Sequence, residues 1–200
     1  LTEAYTDTQI QVSARDEDTT IVLGNREYQM THPVRTYLFL GTDASGNEGG
    51  TGEEYQGSMA DTLMLLVIDE QEETYGILQL NRDTITDVPL MQADGSANAS
   101  AQLQLCTAHW YGGNPKQSCE NTVNAVSDML GGLPIDGYYA LSMNAMSKLN
   151  EAVDGVKMTF TEDLTELDPQ MKSGATLTLT DEQAEKLMHA RYGMSDDRNV

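Results

Sequence analysis

Three short apolar runs in the first half of the chain predict three neighbouring β-strands. The runs are TYLFL (36–40), TLMLLVI (62–68) and YGILQL (75–80). Each run is continuously apolar and is bounded by polar or turn residues, a pattern typical of strands buried in the centre of a sheet. The polar segment DEQEET between the second and third runs is short enough to form a hairpin. We therefore expect three buried strands, of which the last two pair antiparallel.

Polar and glycine-rich segments around these runs predict loops. Residues 44–57 (ASGNEGGTGEEYQG) and residues 91–99 (MQADGSANA) are rich in glycine and small polar residues, which favours irregular structure. Residues 1–31 mix β-branched and polar residues, and they predict one or two strands or a short helix.

The second half of the chain alternates between helical and strand patterns. A first helix, 119–131, would begin after Ser118, and a second would begin after Asn144. A third helix would begin at a capping box that Thr180 forms with Gln183. Strand patterns occur at 137–143, 156–160 and 175–180. This alternation favours a layered α/β domain with a mixed sheet.

Composition adds a strongly acidic surface to this picture. The chain has 200 residues, 39% of them apolar, which is enough for one domain with a hydrophobic core. Its 32 acidic and 11 basic residues give a formal charge of −21, which argues against binding to nucleic acid or to an anionic membrane surface. No apolar run is long enough to span a membrane. Because the chain begins at Leu1 and not at a methionine, we expect that an export signal or anchor has been removed.

The two cysteines, Cys106 and Cys119, leave two interpretations open. They could be free or buried thiols. Alternatively, they could form a disulfide across the glycine- and proline-containing segment between them, which would indicate an oxidising compartment. Two cysteines alone are too few ligands for a structural zinc site.

Polar residues at the ends of the three predicted strands are the candidates for chemistry. Asp43 follows the first run, Asp61 precedes the second, and Arg82 follows the third. The hairpin brings Asp61 and Arg82 to one edge, and an antiparallel first strand would add Asp43. Two carboxylates and an arginine can bind a phosphorylated ligand together with Mg²⁺. The alternative is a purely structural ion pair of Arg82 with Asp61 or Asp83.

Several segments, in this order, resemble motifs of the LytR-CpsA-Psr family of cell-envelope phosphotransferases. The clearest are YLFLGTD, ADTLMLLVID and YGILQLNRDTITDVP. The resemblance continues through TAHWYGG, ENTVNAVSDMLGGLPIDGYYALSM, KLNEAVDGVKMTF and LTLTDEQAEKLMHARY. It covers residues 34–200, which we expect to form the family domain, cut short at its C-terminal end and preceded by a lead-in segment of residues 1–33.

The resemblance implies a fold and an activity. The fold would be a three-layer α/β/α sandwich with a central mixed β-sheet. The protein would transfer a glycan polymer from a polyprenyl-pyrophosphate carrier to peptidoglycan, assisted by Mg²⁺ or Mn²⁺. It would act on the extracellular face of the membrane of a Gram-positive, Clostridia-like bacterium, held there by an N-terminal anchor absent from this chain.

The resemblance also implies roles for individual residues. Asp43 and Asp61 fall on the metal-binding acids, and Arg82 falls on the arginine that contacts the pyrophosphate. The remaining implied substrate-binding residues are Asp83, Gln104 and Arg191. A disulfide between Cys106 and Cys119 would suit a Gram-positive variant of the family.

Four positions depart from the family pattern. Met59, Gln104 and Gly193 stand where the family has a basic residue, and Asn81 stands where it has proline. The family's R-x-x-R-Q helix would start beyond Val200. Fewer cations than usual would contact the pyrophosphate, so a second expectation is a non-catalytic module that binds polyprenyl phosphate or glycan. A third, transcriptional attenuation, is disfavoured by the acidic charge.

Overall fold

The computed structural model of the chain describes residues 20–30, 33–42, 55, 57–91, 96–142 and 145–190. Its first elements are β1 (Thr20–Leu23), β2 (Arg26–Gln29), β3 (Val34–Thr42), β4 (Ala60–Asp69), β5 (Thr74–Leu80), β6 (Ile85–Met91) and β7 (Ala97–Gln104). Next come a 3₁₀ helix (Leu105–His109), α1 (Pro115–Met129), β8 (Gly137–Ser142), α2 (Met146–Ala152), β9 (Lys157–Thr159), β10 (Thr176–Thr178) and α3 (Asp181–His189). The chain divides into two compact units, 1–141 and 142–200. The expected boundary after residue 33 stays a prediction.

The first unit is built on a four-stranded sheet in the order β5-β4-β3-β8. β4 pairs antiparallel with both β3 and β5, so that Leu65 lies opposite Leu38 on one side and Leu78 on the other. The predicted hairpin between the second and third apolar runs is therefore confirmed. The fold class is α/β, as the alternation of patterns predicts.

One face of this sheet forms the core of the first unit. Leu38, Leu40, Leu63 and Leu65 alternate along β3 and β4 and are at most 1% exposed. They belong to one buried cluster with Val126 of α1. Burying a leucine side chain contributes about 1.5–3 kcal/mol, so this row accounts for much of what holds α1 on the sheet.

The prediction that all three apolar runs are buried is wrong for β5. Tyr75 is 75% exposed and Ile77 63%, and only Leu80 is buried in this strand. The reason is position: among the described residues, β5 lies at the edge of the sheet and has β4 as its one neighbour. A continuous apolar run therefore does not by itself show whether a strand lies at the edge or in the centre of a sheet.

A second hairpin replaces part of a predicted loop. β6 and β7 pair antiparallel from Ile85–Gln104 to Met91–Ala97, although 91–99 was expected to be irregular and residues 92–95 lie outside the described part. The sequence signal is weak because β6 contains Pro89 and β7 is made of small and polar residues. This hairpin leads directly into the 3₁₀ helix.

Helix α1 begins four residues earlier than predicted. Its N-cap is Asn114, whose side chain accepts a hydrogen bond from the Gln117 amide at 3.0 Å. Pro115 occupies the first helical position, where its missing N–H costs nothing. Ser118 is therefore not the cap, and its hydroxyl instead lies 2.6 Å from the Tyr55 hydroxyl in a buried contact.

The second unit confirms the third helix. Thr180 and Gln183 form the predicted capping box at the start of α3, and β9 pairs antiparallel with β10. Helix α2 has Ala145 at its N-cap and no side-chain cap bond, whereas the predicted cap, Asn144, lies outside the described residues. The core of this unit consists of Phe160, Leu164, Met171, Leu179 and Ala184.

At the N-terminal end, β1 and β2 form a two-stranded antiparallel hairpin, in agreement with the alternative of two strands. Among the described residues, no helix is long and apolar enough to cross a membrane.

Candidate functional site

A tight turn after β5 forms the centre of the candidate site. The Asn81 side-chain oxygen accepts a hydrogen bond from the Asp83 amide at 2.9 Å, and the Asn81 carbonyl accepts one from the Thr84 amide at 3.0 Å. Two further bonds attach the turn to the 3₁₀ helix: the Leu105 amide donates to the Thr84 carbonyl at 2.8 Å, and the Cys106 amide donates to the Arg82 carbonyl at 3.0 Å. The backbone around Arg82 is therefore fixed from both sides.

Asp61 lies in an irregular part of the neighbouring strand. The pairing of β3 with β4 shifts between Gly41–Thr62 and Thr42–Ala60, which leaves Asp61 as the extra residue of a β-bulge. Bulges redirect side chains and are common beside functional sites. A glycine is needed at 41, because a Cβ there would lie 2.9 Å from that of Thr62.

Arg82 and Asp61 meet, as the hairpin predicts. The β4–β5 pairing ends at Leu63–Leu80. Just beyond it, Nη1 of Arg82 donates a hydrogen bond to Oδ1 of Asp61. The Arg82 side chain is 41% exposed and that of Asp61 24%. The guanidinium group is thus paired with a carboxylate yet still reaches solvent.

Asp83 and Gln104 join this pair. Nε of Arg82 lies 3.7 Å from Oδ1 of Asp83, and Nε2 of Gln104 donates to the same oxygen at 3.0 Å. Asp61, Arg82, Asp83 and Gln104 therefore form one continuous series of contacts. Four of the six residues predicted from the sequence for metal or substrate binding lie together.

The other two predicted residues, Asp43 and Arg191, lie outside the described residues, as does Gly193. Thr42, the residue before Asp43 in the sequence, pairs with Ala60, the residue before Asp61. Their expected roles stay predictions.

The described residues offer an incomplete set of metal ligands. Within them, no group of three or more His, Cys, Asp or Glu side chains is placed to hold a metal ion. Mg²⁺, however, commonly uses only one or two carboxylates, with water and substrate phosphate completing its coordination. Asp61 is partly exposed and can serve as one such ligand.

The expected disulfide is not present. Cys106 and Cys119 are both buried and are not joined by a disulfide. Cys119 Sγ lies 3.8 Å from Nε2 of His109, whereas Cys106 lies behind the Arg82 turn, to which its amide is bonded. Burial raises the pKa of the Cys106 thiol; the positive charge of Arg82 offsets this in part, and the charge of Asp61 adds to it.

A buried histidine, His109, lies beside the site, and no sequence motif singles it out. Nδ1 of His109 lies 2.8 Å from the Ser58 carbonyl oxygen and donates to it. Burial lowers the pKa of His109, and the bond to Ser58 offsets this only in part, so the ring stays neutral to a lower pH than a free imidazole. Its unprotonated Nε2 faces Cys119.

Gly57 was the available sequence signal for this contact. A Cβ at Gly57 would lie 2.8 Å from the carbonyl oxygens of both His109 and Trp110. The segment leading into β4 therefore packs backbone to backbone against the end of the 3₁₀ helix. This packing fixes the start of the strand that carries Asp61.

The LytR_cpsA_psr family model matches residues 4–198. The chain belongs to this family. The match spans nearly the whole sequence and includes the strands and the turn that form the site.

Similar proteins support this LytR_cpsA_psr assignment. The polyisoprenyl-teichoic acid–peptidoglycan teichoic acid transferase TagU of Halalkalibacterium halodurans is 26% identical over 146 residues, which are 73% of this chain and 43% of TagU. The crystal structure of Bacillus subtilis TagV has a TM-score of 0.57 at 21% identity, covering 82% of this chain and 58% of TagV. The Lin1025 protein of Listeria innocua has a TM-score of 0.54 at 23% identity, covering 80% and 55%. The chain thus spans about half the length of these relatives, and the two structures show the α/β fold.

In this LytR_cpsA_psr chain, the asparagine that replaces the expected proline still fixes the turn. Proline restricts a turn through its ring, whereas asparagine does so by bonding to the backbone two residues on. The bond from the Asp83 amide to the Asn81 side chain is of this second kind. The substitution therefore changes the means by which Arg82 is positioned, and the turn is kept.

Proposed function

We propose that this chain is the main domain of an extracytoplasmic phosphotransferase, which transfers a glycan polymer from a polyprenyl-pyrophosphate carrier to peptidoglycan. The observation that carries the proposal is the meeting of Arg82 with Asp61 at the fixed turn after β5. Membership of the LytR_cpsA_psr family and the similarity to TagU, whose name states a teichoic acid transfer to peptidoglycan, support the reaction class. In this proposal the protein works outside the cell and is anchored to the membrane.

Arg82 is the phosphate-binding group of the proposed site. Its planar fork of donors suits phosphate oxygens, and its partial exposure leaves donors available to a ligand. In the proposed transfer, a hydroxyl oxygen of peptidoglycan forms a new P–O bond to the glycan-bearing phosphorus and gives up its proton to solvent. The P–O bond between the two phosphates of the carrier breaks, and negative charge grows on the polyprenyl phosphate that leaves. A preorganised guanidinium stabilises that charge without having to reorganise.

Asp61, with Asp43, would hold the Mg²⁺ or Mn²⁺ ion. Such an ion supplies additional neutralisation of phosphate charge. Asp61 also sets the orientation of Arg82 through the hydrogen bond between them. In this proposal the acid therefore has a second role, toward the arginine.

The proposal is tested by measuring the affinity for geranyl pyrophosphate, a short polyprenyl pyrophosphate, in MgCl₂ by isothermal titration calorimetry. A charge-assisted hydrogen bond contributes about 1.5–3 kcal/mol, so Arg82→Ala should weaken binding by about 10- to 150-fold. The matched control is Arg35→Ala, which removes an arginine that is also on the sheet and pairs with Glu70 at 3.7 Å. Its affinity should stay within about twofold of wild type.

Unchanged affinity in Arg82→Ala would overturn the assigned role. Equal losses in both arginine variants would show that general charge, and not this site, governs the affinity.

A non-catalytic polyprenyl-phosphate- or glycan-binding module is the second candidate, and Gln104 is the observation that favours it. The position expected to carry a lysine contributes no positive charge, and its amide is bonded to Asp83. A protein that binds geranyl pyrophosphate through Arg82 but transfers no glycan to peptidoglycan in vitro would be this module.

A further inference from the structure

We propose that Asp83 and Gln104 are positioning residues, which hold the Arg82 guanidinium in the orientation that binds phosphate and do not themselves contact the substrate. This inference rests on the proposed function, because it concerns how the pyrophosphate site is built. The family resemblance assigns Asp83 and Gln104 to substrate binding, and this inference gives them a different role.

The first step of the argument is a shared oxygen atom. Oδ1 of Asp83 accepts the Gln104 Nε2 bond at 3.0 Å and lies 3.7 Å from Nε of Arg82. One carboxylate oxygen thus faces the arginine and the glutamine together. Among the hydrogen bonds and ion pairs of the described residues, this oxygen is what links the amide of Gln104 to Arg82.

The second step is the way in which Arg82 is held. Asp61 accepts from Nη1, and Asp83 faces Nε, so the two carboxylates hold different nitrogens of one planar group. The hydrogen bond to Asp61 and the longer ionic contact with Asp83, at 3.7 Å, together limit the rotation of the guanidinium. Among the described residues, Nη2 has no protein partner, and this nitrogen is the donor left for a phosphate oxygen.

The third step is the backbone of Gln104, which is held in a strand although its side chain, like that of Asp83, is exposed. Asp83 lies on a turn and its side chain is 58% exposed, so by itself it would sample several rotamers. Gln104 ends β7 and pairs with Ile85 of β6, and its carbonyl accepts a bond from the Thr107 hydroxyl at 2.7 Å. The hairpin therefore restrains Asp83 through Gln104, and Asp83 restrains Arg82.

The fourth step is the neutrality of the amide. A lysine at this position would form a charged pair with Asp83 and compete with Arg82 for the same carboxylate. Glutamine donates a hydrogen bond without adding charge, which leaves the carboxylate's charge for Arg82. This matters in a chain with only 11 basic residues.

A double-mutant cycle on geranyl pyrophosphate affinity in MgCl₂ tests the inference. Gln104→Ala should weaken binding by about three- to tenfold in the wild-type background, as expected for coupled neighbours. In the Arg82→Ala background the same change should have an effect of less than about 1.5-fold. Equal effects in both backgrounds would mean that Gln104 contacts the phosphate directly, and would overturn the inference.

The matched control is Gln102→Ala. Gln102 lies two residues earlier on β7 and makes the same kind of bond, from Nε2 to Oδ1 of Asp87 at 2.6 Å across the hairpin. Its loss should leave the affinity within about 1.5-fold of wild type. A loss equal to that of Gln104→Ala would indicate a general weakening of the hairpin, and would also overturn the inference. Thermal unfolding of each variant verifies that it is folded.

A pH profile of Gln104→Glu adds a measurement that a merely structural residue would not affect. The introduced carboxyl group faces the Asp83 carboxylate, and like charges raise its pKa. When protonated, this carboxyl group can donate a hydrogen bond to Asp83 as the amide does. The affinity of the Gln104→Glu variant, relative to that of wild type, should therefore increase as the pH is lowered from about 7.5 to about 5.5. A ratio to wild type that is constant over this range would contradict the positioning role.

The outcomes separate this inference from the proposed function. If Arg82→Ala leaves the affinity unchanged, the proposed function fails. If Arg82→Ala weakens binding but Gln104→Ala does not, only the positioning role of Gln104 fails.

Discussion

At the residue scale, the protonation state of one buried imidazole couples the fold to pH. His109 is 6% exposed, donates from Nδ1 to the Ser58 carbonyl, and has a pKa below its ordinary value because of burial. The unfolded chain therefore binds a proton at pH values at which the folded chain does not. The stability that His109 contributes is fully present above its ordinary pKa of about 6.5, and is lost as the pH falls below it.

We predict that the free energy of unfolding decreases on acidification below about pH 6.5, with a slope of up to about 1.4 kcal/mol per pH unit from this residue. His109→Asn keeps a donor for Ser58 but cannot titrate, so its slope should be smaller by that amount. Urea denaturation at a series of pH values measures both slopes.

Asp163 also has a lowered pKa, through hydrogen bonds from Thr165, but it titrates below this pH range. Identical slopes in wild type and His109→Asn would show that the neutral ring is not linked to stability.

A contact between two residues could be predicted where both belong to one hairpin, whose register sets their distance. A contact between separately packed elements could not. The meeting of Asp61 and Arg82 follows from a hairpin, because its register relates every position on one strand to one position on the other. The contact of His109 with Cys119 requires a 3₁₀ helix to be packed against α1 in a particular direction. No periodicity in the sequence specifies that direction.

At the element scale, the start of α1 is set by the residues around it. Asn114 caps the helix and Pro115 begins it, while a Cβ at Gly112 would lie 2.2 Å from the Ser118 amide nitrogen. The preceding segment therefore passes directly against the first turn. Ser118 resembles a cap in the sequence, but it lies inside the helix and contacts Tyr55.

Asn114→Ala should destabilise the protein by about 0.5–2 kcal/mol, because the Gln117 amide loses its acceptor. Asn114→Asp should keep most of the stability, since the carboxylate can accept the same bond. The control is Asn124→Ala in the exposed middle of α1, which should be neutral or slightly stabilising through helix propensity. Urea denaturation gives all three values, and a loss for Asn124→Ala as large as that for Asn114→Ala would contradict the assignment of the cap.

The elements also show how far pattern alone reaches. β3 and β4 could be predicted because their apolar runs lie at the centre of the sheet, where burial is strongest. The exposure of β5 could not be predicted, because its composition is that of a buried strand. Its place at the edge of the sheet follows only from the strand order. β6 and β7 were not predicted, because β6 contains a proline and β7 consists of small and polar residues, neither of which is typical of a strand.

At the scale of the whole molecule, a formal charge of −21 acts on any anionic ligand before it reaches Arg82. Repulsion between distant charges is screened by salt over a Debye length of about 10 Å at 0.1 M. The close contacts inside the site are screened much less. Approach and binding should therefore respond differently to ionic strength.

We predict that the association rate of geranyl pyrophosphate increases by about two- to fivefold when KCl is raised from about 50 to about 300 mM at constant MgCl₂. The physical reason is weaker long-range repulsion. Stopped-flow kinetics measure this rate, and Arg35→Ala, which makes the chain more negative, should show a steeper dependence. A rate that falls with salt would indicate that a local positive field outweighs the acidic surface.

The two backbone bonds that join the Arg82 turn to the 3₁₀ helix give the site a reporter that needs no ligand. The amide hydrogens of Leu105 and Cys106 are bonded to the carbonyls of Thr84 and Arg82, and both residues are fully buried. They can exchange with deuterium only when the turn separates from the helix. The exchange rates of these two hydrogens therefore measure how often Arg82 leaves its place.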